Sequence, residues 1–254
     1  MLKSIAGVFL MIIWMAGFVS AAVFNPIDVS GWNRDIVIAT NETATTGTTA
    51  VMDGGDANGG ATVYYEQGFN TSSPTTGLKS GLLQSAMTSD LWFRFQSFTA
   101  NNAVYKGGTL TLTTAAAYDR IALIGATGNG TGNLTITFKY TTGEDSVFDP
   151  SGGIEQDWFN GSGIAYTANG RVSTVNGEFT FVDSGNPRLY ESIFDIDQTR
   201  LLQSVVITDN NAASTDPRPV VMAISGEAIP EPASLAMLGV VVSAGFFIRR
   251  RFLI

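Results

Sequence analysis

Carboxylates hold most of the chemistry available to this sequence of 254 residues, which contains neither Cys nor His. A disulfide, a thiol nucleophile, a Cys-ligated metal and a Ser-His-Asp triad are therefore excluded. Three clusters of polar groups remain. The run Asp53-Gly54-Gly55-Asp56-Ala57-Asn58-Gly59-Gly60 places oxygen donors among glycines, the hard-donor chemistry that Ca²⁺ prefers, with Asp53 and Asp56 as the expected ligands. It departs from EF-hand spacing, because no Asp or Asn stands at Gly60 and the closing Glu is out of step, and a solvated glycine turn is the simpler account of it. The second cluster is Glu144, Asp145, Asp149, Glu155 and Asp157. Repelling carboxylates on one stretch can be drawn together by Ca²⁺, with Asp145 and Asp149 as candidate ligands, or they form an ordinary solvated loop. No other cofactor is implied. The third is Asp157-Trp158-Phe159. A flat indole packs on sugar C–H groups while a carboxylate accepts hydroxyl hydrogen bonds, and Arg171 adds a fork of donors. Asp157, Trp158 and Arg171 are accordingly the candidate glycan contacts, although a Trp in a β domain also serves as core. Trp92, beside Phe93 and Phe95, reads as core.

Paired carboxylates raise a further chemistry. Asp195 and Asp197 share a face of an extended segment, and a glycosidase needs two carboxyls facing across a cleft with one pKa raised by burial. Any strand with alternating acids shows the same spacing. The turn-rich body offers no long loops to wall a cleft, so the expectation is a protein without catalytic residues, not an enzyme. Charge excludes another class. The net charge of the chain is −8, but Lys3, Arg249, Arg250 and Arg251 lie at the ends, leaving ten basic against 21 acidic residues between Val23 and Ala228, a net −11. Such a body repels phosphate backbones, so nucleic acid is not an expected partner.

The elements that must position these groups read as strands. From Asn133 to Tyr140 the chain alternates strictly, with Leu134, Ile136, Phe138 and Tyr140 on one face. Thr109 to Thr113 repeats the pattern. Further strands are expected at 35–40, 61–67, 91–98, 118–124, 178–182, 189–196, 201–208 and 220–226. Turn residues separate them, among them Gly107-Gly108, Gly128-Asn129-Gly130, Asn169-Gly170 and Asn176-Gly177. Ten strands with almost no helix predict an all-β fold, an antiparallel two-sheet sandwich of jelly-roll type. Residues 40–60, rich in Thr and Gly, are expected to form a mobile loop.

The ends follow different rules. One Lys, the apolar stretch from Ser4 to Val19 and the small residues Ser20, Ala21 and Ala22 form a secretory signal peptide over residues 1–22, to be handled by the Sec translocon and signal peptidase. The body occupies 23–228. At the other end Ala233 to Ile248 carries no charge, and as a helix it spans about 24 Å, short of a hydrocarbon core of roughly 30 Å by an amount that snorkelling arginines can cover. Arg249, Arg250 and Arg251 follow directly and would stay cytoplasmic, which puts the body outside the inner membrane.

Ahead of this run stands Pro230-Glu231-Pro232, a segment that its prolines hold extended and free of regular hydrogen bonding. Pro-Glu-Pro, an apolar helix and an arginine cluster, in that order over residues 229–254, resemble the PEP-CTERM sorting signal of Gram-negative bacteria. The resemblance implies that an exosortase recognises Pro230, Glu231 and Pro232, cuts near them, and releases the body to the cell surface or exopolysaccharide after a transient stay in the inner membrane. The tail Phe252-Leu253-Ile254 extends past the point where such signals often end. Within the body, Tyr118-Asp119-Arg120-Ile121-Ala122-Leu123-Ile124, the strand from Asn133, Asp157-Trp158-Phe159, and the strands at 201–207 and 221–226 resemble the jelly-roll sandwiches of the galactose-binding-like group. Many of those are carbohydrate-binding or adhesion modules. Three outcomes stay open on this reading: a non-enzymatic surface or exopolysaccharide-associated protein, a dedicated carbohydrate-binding module, and a carbohydrate-active enzyme.

Overall fold

Ile121 and Leu123 belong to one hydrophobic cluster, while Ala122, Ile124 and Ala126 belong to another. Alternate residues of one strand point to opposite faces, so this strand is buried on both sides and lies in a middle layer. The computed structural model describes residues 23–40, 48–54, 61–68, 77–175, 178–183, 185–211 and 216–229. The middle layer is a sheet of β1 (Phe24–Pro26), β7 (Val104–Tyr105), β9 (Tyr118–Gly128), β12 (Ile164–Thr167), β15 (Arg188–Asp195) and β17 (Arg218–Ala228). Its order is β1-β17-β9-β15-β12, with β7 also pairing β17.

On one face lies a five-stranded sheet of β2 (Val29–Ser30), β8 (Gly108–Ala116), β10 (Leu134–Tyr140), β11 (Ser146–Phe148) and β16 (Leu202–Asp209), ordered β11-β10-β16-β8-β2. Leu110, Ile136, Phe138 and Val205 from this sheet pack with Ile121, Leu123, Val221 and Ile224 from the middle one. The chain crosses between these two sheets at each step from β8 to β10 and again from β15 to β17. The other face of the middle sheet is covered by two smaller sheets. One comprises β3 (Val37–Ile38), β4 (Ala61–Tyr65), β13 (Arg171–Val175) and β14 (Glu178–Asp183), ordered β14-β13-β4-β3; the other is the hairpin β5 (Gly81–Gln84) and β6 (Trp92–Phe95). Val37, Tyr64, Leu83, Phe93 and Phe95 pack there against Ala122, Ile124, Val220, Met222 and Ala223. Met222 and Ala223 are neighbours on the same side because the register shifts between Val221 and Ala223, a bulge that puts an extra residue in β17.

The all-β expectation thus holds, and β10 shows the alternating burial that its sequence predicts. The two-sheet sandwich is corrected to four sheets in layers among the described residues. Strand pairing is not wholly antiparallel either, since β3 runs parallel to β4, Val37 opposite Tyr64 and Ile38 opposite Tyr65. Most strands missing from the sequence reading are short or lie at sheet edges, as with β1, β2, β7 and β11, where few side chains carry a period; β13, five residues between β14 and β4, is the exception. Residues 48–54, placed in the expected mobile loop, are tied down: Met52 is fully buried, and Met52 N and Asp53 N donate to Thr62 O. The body resemblance to the galactose-binding-like group is met only at the level of a layered all-β fold. The expected signal peptide, Pro230, Glu231, Pro232, the apolar run and Arg249, Arg250 and Arg251 lie outside the described residues. Among the described residues no helix is long and apolar enough to cross a membrane.

Candidate functional site

Asp53, the adjacent pair Asp157-Trp158, and Arg171 arrive from three parts of the chain and meet in one cluster. The turn after β9 sets it up. Asn129 adopts a left-handed φ of 54°, a conformation Asn tolerates well, and its N–H donates to Asp53 Oδ1 at 2.7 Å. Asp53 Oδ2 accepts from Trp158 Nε1 at 2.7 Å and from Arg171 Nη1 at 3.1 Å. Asp157 bridges to Thr127 of β9 and closes its own turn, its Oδ1 accepting from Phe159 N at 2.9 Å and Asn160 N at 3.2 Å, its Oδ2 from Gly130 N at 3.0 Å. The Arg171 guanidinium lies 4.5 Å from the Phe159 ring centre and 5.6 Å from that of Trp158. Tyr64 packs edge-on against Trp158 at 5.1 Å and donates its hydroxyl to Arg188 O at 2.8 Å.

The candidate glycan contacts are therefore assembled, but around a covered ring. Trp158 is 0% exposed. An indole enclosed by Tyr64, Phe159 and Arg171 has no face for a sugar, which corrects the expectation of a stacking platform at this position. The cluster instead fastens β13 and the segment before β4 to the end of β9. Sequence reasoning missed Asn129 and Tyr64 as members, and the one signal present was the Asn-Gly pair at 129–130.

The candidate metal ligands Asp53 and Asp145 are engaged within the protein. Asp53 already accepts three donors, Asp56 lies outside the described residues, and Asp145 Oδ2 accepts from Lys139 Nζ at 2.6 Å. Asp149 lines a shallow groove of about 390 Å³ with Phe148, Pro150, Glu191 and Phe194. Among the described residues no three acidic side chains converge as a metal site would require. Glu155 is buried and accepts from Leu134 N and Gly152 N. Of the Asp195 and Asp197 pair, Asp197 takes hydrogen bonds from the Thr199 hydroxyl and N–H and from Arg200 Nε, and these hold its carboxyl below the ordinary carboxylate range. A general acid needs the opposite shift.

Trp92 also departs from expectation. β6 alternates exposed, buried, exposed, buried, so Phe93 and Phe95 face the core while Trp92, at 39% exposure, and Arg94 face outward. The strand was legible, its phase was not.

Beyond the body, residues 228–251 match the family model described as the PEP-CTERM protein-sorting motif. The chain carries that motif, and with it the signature of an exported protein that an exosortase processes and sorts to the cell surface. The match starts at the last residue of β17 and stops at Arg251, so Phe252, Leu253 and Ile254 fall beyond it. No curated protein matches the chain.

Proposed function

We propose that this protein is a non-enzymatic component of the cell surface or extracellular matrix of a Gram-negative bacterium, held there by association with exopolysaccharide. In this reading the signal peptide directs Sec export, the apolar run with Arg249, Arg250 and Arg251 anchors the chain transiently in the inner membrane, and an exosortase cuts near Pro230, Glu231 and Pro232. The sorting motif at 228–251 is the observation that carries it. The end of β17 at Ala228 supports it, because a cut near Pro230, Glu231 and Pro232 leaves every described strand in the body. A carbohydrate-binding role is the finer form of the same reading. Glu231→Ala in the native host is expected to accumulate as an unprocessed inner-membrane form, with the wild-type mature mass lacking Arg249 to Ile254. A wild-type mature mass that still includes those residues in an exosortase-containing host overturns the reading.

A further inference from the structure

The β5–β6 hairpin presents two unlike faces. Leu83, Phe93 and Phe95 point inward to the core, which leaves the cross-strand pairs Leu82 with Arg94 and Gln84 with Trp92 on the outer face. Residues directly opposite each other in an antiparallel pair lie on the same face, about 5 Å apart across the strands and about 7 Å from one pair to the next along them. Four side chains thus make a small rectangle: one indole, one leucine at 61% exposure, one guanidinium, and one amide whose Nε2 donates to Ser89 O. Of the three described tryptophans, Trp92 is the exposed one. Arg94 is paired at 3.0 Å with Asp28, so a donor fork and a carboxylate stand together at the edge with no net charge.

We propose that this face is a binding site for a neutral polysaccharide, one sugar ring lying on Trp92 and its hydroxyls meeting Gln84, Arg94 and Asp28. The proposal rests on the matrix-association reading above and gives it a location. The footprint is that of a single ring, and the chemistry alternates apolar and hydrogen-bonding groups as a sugar does. Charge selects the class of polymer: the patch is neutralised by its own ion pair, whereas the body at net −11 repels an acidic chain. Area argues against a second copy of the protein, because a stable interface buries on the order of 1,200 Å² or more and these four side chains alone fall short of that. Each site is expected to bind weakly, in the millimolar range, with firm retention arising from many copies on one matrix.

The test uses the full chain, purified in detergent, in pull-downs with insoluble cellulose as the neutral probe and alginate gel as the anionic one. Wild type is expected to be retained on cellulose and not on alginate. Trp92→Ala should lower retention about tenfold, and Trp92→Tyr should keep part of it. The unfolding temperature of each variant is measured alongside, because Trp92 is 39% exposed and part of its indole is covered, and retention is compared at a temperature where every variant is folded. Equal retention of Trp92→Ala and wild type on cellulose overturns the site and leaves the matrix reading intact. Absence of wild-type retention on either polymer overturns both, while processing at Glu231 is judged separately. Preferential retention on alginate overturns the neutral class. A wild-type dimer in sedimentation that Trp92→Ala dissociates identifies a second copy as the occupant and overturns the proposal.

Discussion

Asp53 Oδ2 accepts from the enclosed Trp158 indole and from Arg171, while Oδ1 accepts from Asn129 N. Truncating such an acceptor costs more than the bonds themselves, because the donors left behind are desolvated without partners. Asp53→Ala is expected to destabilise the body by about 2–4 kcal/mol, and Asp53→Asn by less since one oxygen is kept. Chemical denaturation reads both, and an unchanged midpoint for Asp53→Ala refutes the fastening role. The same melts with and without a chelator address calcium at Asp53: oxygens already filled by three donors predict no difference. Trp158 illustrates why residue type alone misleads at this scale. An Asp-Trp pair has the composition of a sugar contact, yet indole N–H pairing with a carboxylate 105 positions away turns the same residues into a joint.

At the scale of elements, β9 and β17 pair along most of their length, and Gly125 makes their closest approach possible. A Cβ built at Gly125 would stand 2.0 Å from Val220 O. No side chain can move to relieve that contact, since the obstacle is backbone. Gly125→Ala is therefore expected to part the two central strands and cost about 3 kcal/mol or more, at the upper end of overpacking effects. Retained stability in a thermal melt would show that the strands are not so closely apposed. The sequence of β9 from Ile121 to Ala126 is a continuous apolar run apart from Gly125, the mark of a strand covered on both faces. The alternating strand β10 announces its covered face and is legible with nearly its observed bounds, whereas β8 extends past the expected 109–113 to Ala116. The hairpin β5–β6 shows the limit of that method: Trp92, Phe93 and Phe95 are all apolar, so pattern alone does not say which of them faces out.

For the molecule as a whole, burial of aromatic hydroxyls sets the response to alkali. Burial pushes the Tyr64 hydroxyl well above its usual 10.0, with Tyr190, Asp53 and Asp157 adding to the effect. Burial likewise raises Tyr65, Tyr118, Tyr166 and Tyr190. A group whose folded pKa is raised contributes stability that is full below the unfolded value and declines as pH rises through it toward the folded value. Stability of the body is thus expected to be flat with respect to these groups near neutrality and to fall above pH 10.0, the ordinary value for tyrosine. Tyrosinate absorbance should rise in step with loss of the fold. Tyrosines that titrate freely near their ordinary value while the circular dichroism stays native would contradict the burial.

Local sequence was enough for the class of fold, the phase of β10, and the sorting motif. Strand alternation, turn glycines and a linear sorting signal act through neighbours in the chain, and the motif at 228–251 is recognised as a stretch of sequence. The tertiary structure decided the rest. Four sheets in place of two, the bulge at Met222, the enclosure of Trp158 by Tyr64 and Arg171, and the outward face of Trp92 all depend on which distant segments meet. Burial is a property of the packed layers, and a side chain's type does not state which layer will cover it.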